Sequence, residues 1–167
     1  VSFLQHPQGV LAVFRLPQEE MLNIQPSKLI LALDGVQDPG NLGTIIRIAD
    51  WFGIETVYCS IDTADAWSPK VVQASMGSIA RVHIIYTDLI ALTEEAQAAD
   101  LPVYGTLLDG EDIYTQPLTQ SGIIVMGNEG KGISPALRER ITHRLLIPDF
   151  RQGQTADSLN VAIATAI

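Results

Sequence analysis

The chain has 167 residues, 47% of them hydrophobic and only 17% charged: enough apolar material for one domain with a proper core, and too few charges for a disordered tail. No apolar run approaches the ~20 residues of a membrane-spanning helix, and the N-terminus lacks the basic-then-apolar layout of a signal peptide. The formal net charge of −9 is awkward for a nucleic-acid partner, although five of the ten basic residues (Lys131, Arg138, Arg140, Arg144, Arg151) cluster in one stretch.

Cys59 is alone, which excludes an internal disulfide or a cysteine-rich zinc site and fits a reducing, cytoplasmic setting. His6, His83 and His143 are scattered without ligand spacing, so no metal is expected. The sequence begins at Val1 and closes on an apolar run at Ile167, and it reads as a fragment of a longer protein.

Val10 to Leu16 is mostly apolar and is expected as an edge strand, with Pro17 to Pro26 a polar connector. Leu29 to Leu33 has the look of a buried parallel strand and leads into a loop dense in turn formers, Asp34 to Asn41. Leu42, Ile45, Ile46 and Ala49 then fall at helical spacing, with Arg47 off that stripe and Gly53 as C-cap. Thr56 to Ser60 is strand. Ser68-Pro69 opens a helix with Val71, Val72, Ser75 and Met76 on its inner side.

Val82 to Tyr86 is strand, Leu89 to Ala99 helix, and Val103 to Leu108 strand again, ending in the polar turn Asp109-Gly110. Ile123 to Met126 is a short buried strand, followed by Gly127-Asn-Glu-Gly-Lys-Gly132 and a helix from Pro135, with the Ser134 hydroxyl as its cap. Arg144 to Ile147 is the last strand, Pro148 to Asp157 a loop, and a final helix starts at Ser158. Strands alternating with helices predict one α/β domain with a mainly parallel sheet flanked by helices.

The glycine loop 127–132 is neither of the familiar phosphate loops. Gly122 and Gly127 have the spacing of GxxxxGK[ST], but Asn128 and Glu129 stand where Lys and Ser/Thr are required, and a carboxylate there repels phosphate. The GxGxxG fingerprint is absent as well. In a parallel sheet the loops after successive strands gather at one edge. That edge brings together Asn41 and Arg47, Thr106 and Asp109, Asn128 and Glu129, and Ser158 and Asn160. Each alone has a structural explanation: Asn41 or Ser158 as a helix cap, Arg47 as a surface arginine, Asn160 as a partner for nearby backbone. Together they lack a good general base and suit binding, orientation and charge stabilisation.

Three blocks resemble the signature motifs of the SpoU (TrmH-like) family of RNA ribose 2′-O-methyltransferases in the SPOUT superfamily: Asn41-Leu-Gly-Thr-Ile-Ile-Arg47-Ile-Ala49, Met126-Gly-Asn-Glu-Gly-Lys-Gly132, and Ser158-Leu-Asn-Val-Ala162 after Ile147-Pro148. Their order and spacing agree, and the similarity runs from about Leu29 to the end. The resemblance implies a trefoil knot at the C-terminal end of the sheet, an exception to the unknotted rule. It also implies S-adenosylmethionine bound in the knot, an RNA substrate (rRNA or tRNA) and a homodimer. Thr106, Leu107, Gly127, Ile147 and Leu159 match the cofactor-holding positions. Asn41, Arg47, Glu129, Ser158 and Asn160 match the catalytic set, with Arg47 contacting the target phosphate. Residues 1–26 resemble the junction after an N-terminal RNA-binding domain.

Two departures stand out: the loop 148–157 is longer than the family's usual link, and the helix from Ser158 is incomplete. The rival readings are a base methyltransferase of the same superfamily, a relative without activity, and a non-catalytic RNA- or nucleotide-binding α/β module.

Overall fold

The computed structural model describes residues 9–10, 12–17, 24–151 and 156–167. Among these residues six strands form one all-parallel sheet: β1 (Leu29–Leu33), β2 (Thr56–Cys59), β3 (His83–Tyr86), β4 (Val103–Asp112), β5 (Gly122–Met126) and β6 (His143–Leu146), in the spatial order β3-β2-β1-β5-β4-β6. The helices are α1 (Pro39–Phe52), α2 (Pro69–Ala74), α3 (Leu89–Ala98), α4 (Pro135–Arg138) and α5 (Val161–Thr165). The expected α/β class with a parallel sheet is met.

The central strand shows why the sheet needs cover on both sides. Side chains alternate across a strand, so Leu31 and Leu33 join one core layer while Ile30 and Ala32 join the other. The first layer packs under α1 and α5 through Leu42, Ile45, Ile46, Ala49, Val161 and Ala162. The second packs under α3 and α4 through Leu92, Ala96 and Leu137. After β1 the chain builds outward through β2 and β3, then returns to lay β5 against the other side of β1. The adjoining carboxyl ends of β1 and β5 are therefore the switch point where open parallel sheets bind ligands.

Local expectations fare unevenly. Helix α1 follows its pattern: Asp38 caps it by accepting from Asn41 N at 2.8 Å, Pro39 takes the first turn, and Gly53 closes it in the left-handed conformation. No strand forms at Val10 to Leu16: Val10, Val13, Phe14 and Leu16 are exposed, and none of the six strands pairs with them (Leu11 lies outside the described residues). An apolar run becomes a strand only where a sheet edge accepts its backbone hydrogen bonds.

In α2 only the inner placement of Val71 and Ser75 holds, while Val72 and Met76 are exposed. The helix ends at Ala74, and Met76 breaks the periodicity by turning to a φ of 51°. Ser134 precedes α4 but makes no side-chain cap; its N–H is tied instead to Asp34 Oδ2 at 2.6 Å. The last helix starts at Val161 rather than Ser158, because the Asn160 side chain accepts from Ala162 N and Ile163 N. Strand β4 does not end at Leu108. It bulges over residues 107–110 and resumes, so that Leu145 pairs with both Thr106 and Glu111.

Candidate active site

The loop after β5 closes on itself before it reaches anything else. Asn128 and Gly132 exchange both backbone hydrogen bonds, at 3.0 and 2.9 Å, while Asn128 Oδ1 accepts from Gly130 N and Lys131 N. Asn128 Nδ2 crosses to the carbonyl of Gly35 at 2.6 Å, fastening this loop to the one after β1. Such closure demands glycine at 127: a Cβ there would stand 2.4 Å from Gly132 C and Ile133 N. Gly132 makes the return turn with a φ of 69°.

This clamp presents Glu129 to the start of α1. Its carboxylate accepts from Gln37 N at 3.2 Å, Asp38 N at 3.1 Å and Asn41 Nδ2 at 3.0 Å. Partial desolvation pushes the Glu129 pKa up, but these hydrogen bonds outweigh it and the group lies below its ordinary value of 4.5. Glu129 is thus an ionised acceptor at neutral pH. Because Asn41 spends its amino group on Glu129, its Oδ1 is free to accept, and Asn160 Nδ2 donates to it at 2.9 Å. Asn160 in turn caps α5. Three segments far apart in sequence are joined by one directed chain of hydrogen bonds: α5, Asn160, Asn41, Glu129.

Beside this chain opens a cleft of about 660 Å³. All five residues expected to hold the cofactor line it: Thr106, Leu107, Gly127, Ile147 and Leu159. Glu129 and Ser158 line it as well, whereas Asn41 and Asn160 do not. Arg47 does not line it. It sits six residues beyond Asn41 on α1, about 9 Å along the helix axis, exposed and with no side-chain hydrogen bond or ion pair among the described residues.

The basic stretch is partly neutralised. Arg138 and Arg144 both pair with Asp109, and Arg140 pairs with Glu94 at 2.7 Å, leaving Lys131, on the cleft wall, and Arg151 without an ion pair among the described residues. Desolvation raises the Asp109 pKa, and the hydrogen bond from Arg138 with the charges of both arginines brings it below the usual carboxylate value.

Two residues with structural roles here were not among the expected site residues. Asp38 caps α1 and offers its N–H to Glu129, and Asp-Pro before a helical stripe is a legible start signal. Asn128 is expected at the sheet edge beside Glu129, but its clamp on Gly35 and Gly132 has no signature in local sequence. Among the described residues no cluster of His, Cys, Asp and Glu is placed to hold a metal, and no helix is long and apolar enough to cross a membrane.

The profile of the SpoU rRNA Methylase family matches residues 28–167. The chain is 37% identical to the 23S rRNA (guanosine(2553)-2′-O)-methyltransferase RlmP of Bacillus subtilis, covering 100% of this chain and 65% of that protein. Among solved structures, a TrmH-family protein from Porphyromonas gingivalis superposes with a TM-score of 0.88 at 48% identity, over 99% of this chain and 66% of the other. An AdoMet-bound rRNA methyltransferase from Sinorhizobium meliloti superposes with a TM-score of 0.78 at 36% identity, over 87% of this chain and 55% of the other. The chain therefore spans between 55% and 66% of the length of these relatives.

Proposed function

Because this chain belongs to the SpoU rRNA methylase family, we propose that it is the catalytic part of an S-adenosylmethionine-dependent RNA methyltransferase acting on a ribose 2′-OH, with rRNA the first substrate to test. One observation carries the reading: Asn41, Glu129 and Asn160, from three separated motifs, meet in one hydrogen-bonded chain beside a cleft lined by Thr106, Leu107, Gly127, Ile147 and Leu159. Two of the relatives named above support it through the rRNA methyltransferase activity in their names and, in one, the bound AdoMet.

The cleft fits the cofactor. An adenosine needs apolar walls and nearby backbone polar groups; Leu107, Met126, Leu145, Ile147 and Leu159 supply the first, and the tightly turned backbone at Gly127 the second. S-adenosylmethionine supplies an electrophilic methyl group on a cationic sulfur. Glu129, ionised and on the cleft wall, is an anion suited to a cationic ligand, and it fixes the start of α1 through three donors. Asn41 and Asn160 hold the three segments in register, and Ser158 shapes the cleft rim.

Among the described residues Arg47 has no ionic partner, and it is available to a phosphate of bound RNA. There it orients the ribose and stabilises charge developing on the 2′-oxygen. A guanidinium offers donors and no acceptor, so its role is electrostatic rather than that of a base. The same reading includes the trefoil knot, a cytoplasmic setting and a homodimer; exposed Leu159, Ile163 and Ile167, spaced four apart, support the last.

Calorimetric titration with S-adenosylmethionine and its demethylated product, with ATP and NAD as controls, tests the cleft. Transfer of a labelled methyl group to rRNA or tRNA tests the reaction. Selective binding near one per chain together with labelled 2′-O-methyl nucleotide is the expected result. Binding of ATP or NAD in preference, or label on a base, overturns it.

A further inference from the structure

Away from the Glu129 cluster, one carboxylate oxygen holds two guanidinium groups. Asp109 Oδ2 accepts from Nη2 of Arg138 and, at 3.2 Å, from Nη1 of Arg144. The three side chains come from three elements: the bulge in β4, the end of α4, and β6. Without the carboxylate two like charges would face each other across this gap.

The bulge is the least supported part of the sheet. Residues 107–110 have no ladder partner, because Leu145 pairs with Thr106 before them and with Glu111 after them. Backbone contact secures one end, where a Cβ on Gly110 would stand 2.5 Å from the carbonyl carbon of Leu145. The middle of the bulge is secured by Asp109, while Leu108 is exposed. The bulge nevertheless supplies Leu107, Leu108 and Asp109 to the cleft, and Arg138 adds a further part of its lining.

We propose that Asp109 is a positioning residue for cofactor binding: by gripping Arg138 and Arg144 it seats the β4 bulge against α4 and β6 and sets the Leu107–Leu108 wall that receives the nucleoside. The proposal rests on reading the cleft as the S-adenosylmethionine site. The three side chains are between 37% and 51% exposed, so dissolved salt screens their attraction. Cofactor affinity should therefore carry a salt dependence that comes from this clamp.

The test is Asp109→Asn, which keeps the shape and removes the charge. Titration with S-adenosylhomocysteine at low salt should show Kd raised roughly three- to tenfold, as expected for two half-exposed ion pairs. The gap from wild type should close near 1 M salt, and kcat at saturating cofactor should stay within about twofold. Equal affinity and equal salt response in the two proteins overturn the proposal.

Hydrogen exchange on the ligand-free proteins decides the seating independently. Faster exchange confined to 107–110 and the neighbouring turn of α4 supports it, and unchanged protection there overturns it. Failure of the wild-type protein to bind S-adenosylhomocysteine would instead sink the functional reading, while the exchange comparison would still decide whether Asp109 seats the bulge.

Discussion

Asn160 donates to Asn41 across 119 positions of sequence, Nδ2 to Oδ1 at 2.9 Å. Neither amide is free to turn over. Asn41 must point its amino group at Glu129, and Asn160 must point its carbonyl at the first N–H groups of α5. The bond therefore reports that both neighbouring interactions are in place. It ties the start of α5, next to cleft residues Ser158 and Leu159, to the start of α1, which carries Arg47.

Asn160→Ala removes a helix cap and this link together. Loss of the cap alone costs about 1 kcal/mol, and the orphaned Asn41 carbonyl adds a smaller amount because the site is exposed. The expected outcome in urea denaturation is a loss of about 1–2 kcal/mol. Titration should also show weakened cofactor binding, since Ser158 and Leu159 lose their anchor. A double-mutant cycle with Asn41→Ala should return a coupling of about 0.5–1.5 kcal/mol. Additive losses would mean that the bond is incidental.

Glu129→Gln offers a sharper test, because all three partners of the carboxylate are donors. The new amide must set its own N–H groups against one of them. Methyl transfer should fall by roughly two orders of magnitude. The pH dependence has a definite sign. The folded-state pKa lies below its ordinary 4.5, so the contribution to stability is complete above that value and is lost as the pH falls through the folded value. The stability gap between wild type and Glu129→Gln should be flat near neutrality and shrink below about pH 4.5. A gap that widens with acid would contradict the assignment.

The parts of this fold legible in sequence are those that repeat a local rule. The buried run Leu29 to Leu33, the stripe Leu42, Ile45, Ile46 and Ala49, and Gly53 behind it each state their element within a few residues, and each is where expected. What failed depended on partners elsewhere in the chain. Val10 to Leu16 has strand composition, but its described residues pair with neither edge of the sheet. Asp109-Gly110 is a turn pair that became a bulge because β6 continues alongside. Ser134 has the chemistry of a cap, yet its hydroxyl makes no cap bond to the four-residue α4 while its backbone N–H is held by Asp34. The cleft-lining residues were legible through the motif resemblance, not through any local physical rule. The exposure of Arg47 was legible from its place off the apolar stripe of α1, whereas its distance from the cleft wall depends on how α1 sits against β5 and was not.

Gly127→Ala probes the loop closure directly. The added methyl would meet backbone atoms of Gly132 and Ile133, which cannot swing aside as a side chain tip does. The expected cost is about 1–3 kcal/mol, with loss of cofactor binding because the wall itself moves. Gly130→Ala is the control: the nearest atom to its Cβ is Asn128 Oδ1 at 3.7 Å, and stability should change by less than about 1 kcal/mol. Equal effects at the two positions would argue against the close approach at 127.

Arg47→Ala separates chemistry from binding. The side chain is exposed, makes no ion pair among the described residues and lies outside the cleft lining. Its removal should leave the unfolding midpoint and the affinity for S-adenosylhomocysteine within about twofold of wild type, as for a surface substitution. Methyl transfer to RNA should nevertheless drop by roughly 10²–10³-fold, the usual cost of deleting a group that stabilises developing charge. Arg47→Lys should recover little, because an ammonium cannot reproduce two-pronged contact with a phosphate. Single-turnover transfer at saturating cofactor makes the comparison. Parallel losses of cofactor affinity and of transfer would place Arg47 in the cofactor site instead, contrary to its position on α1.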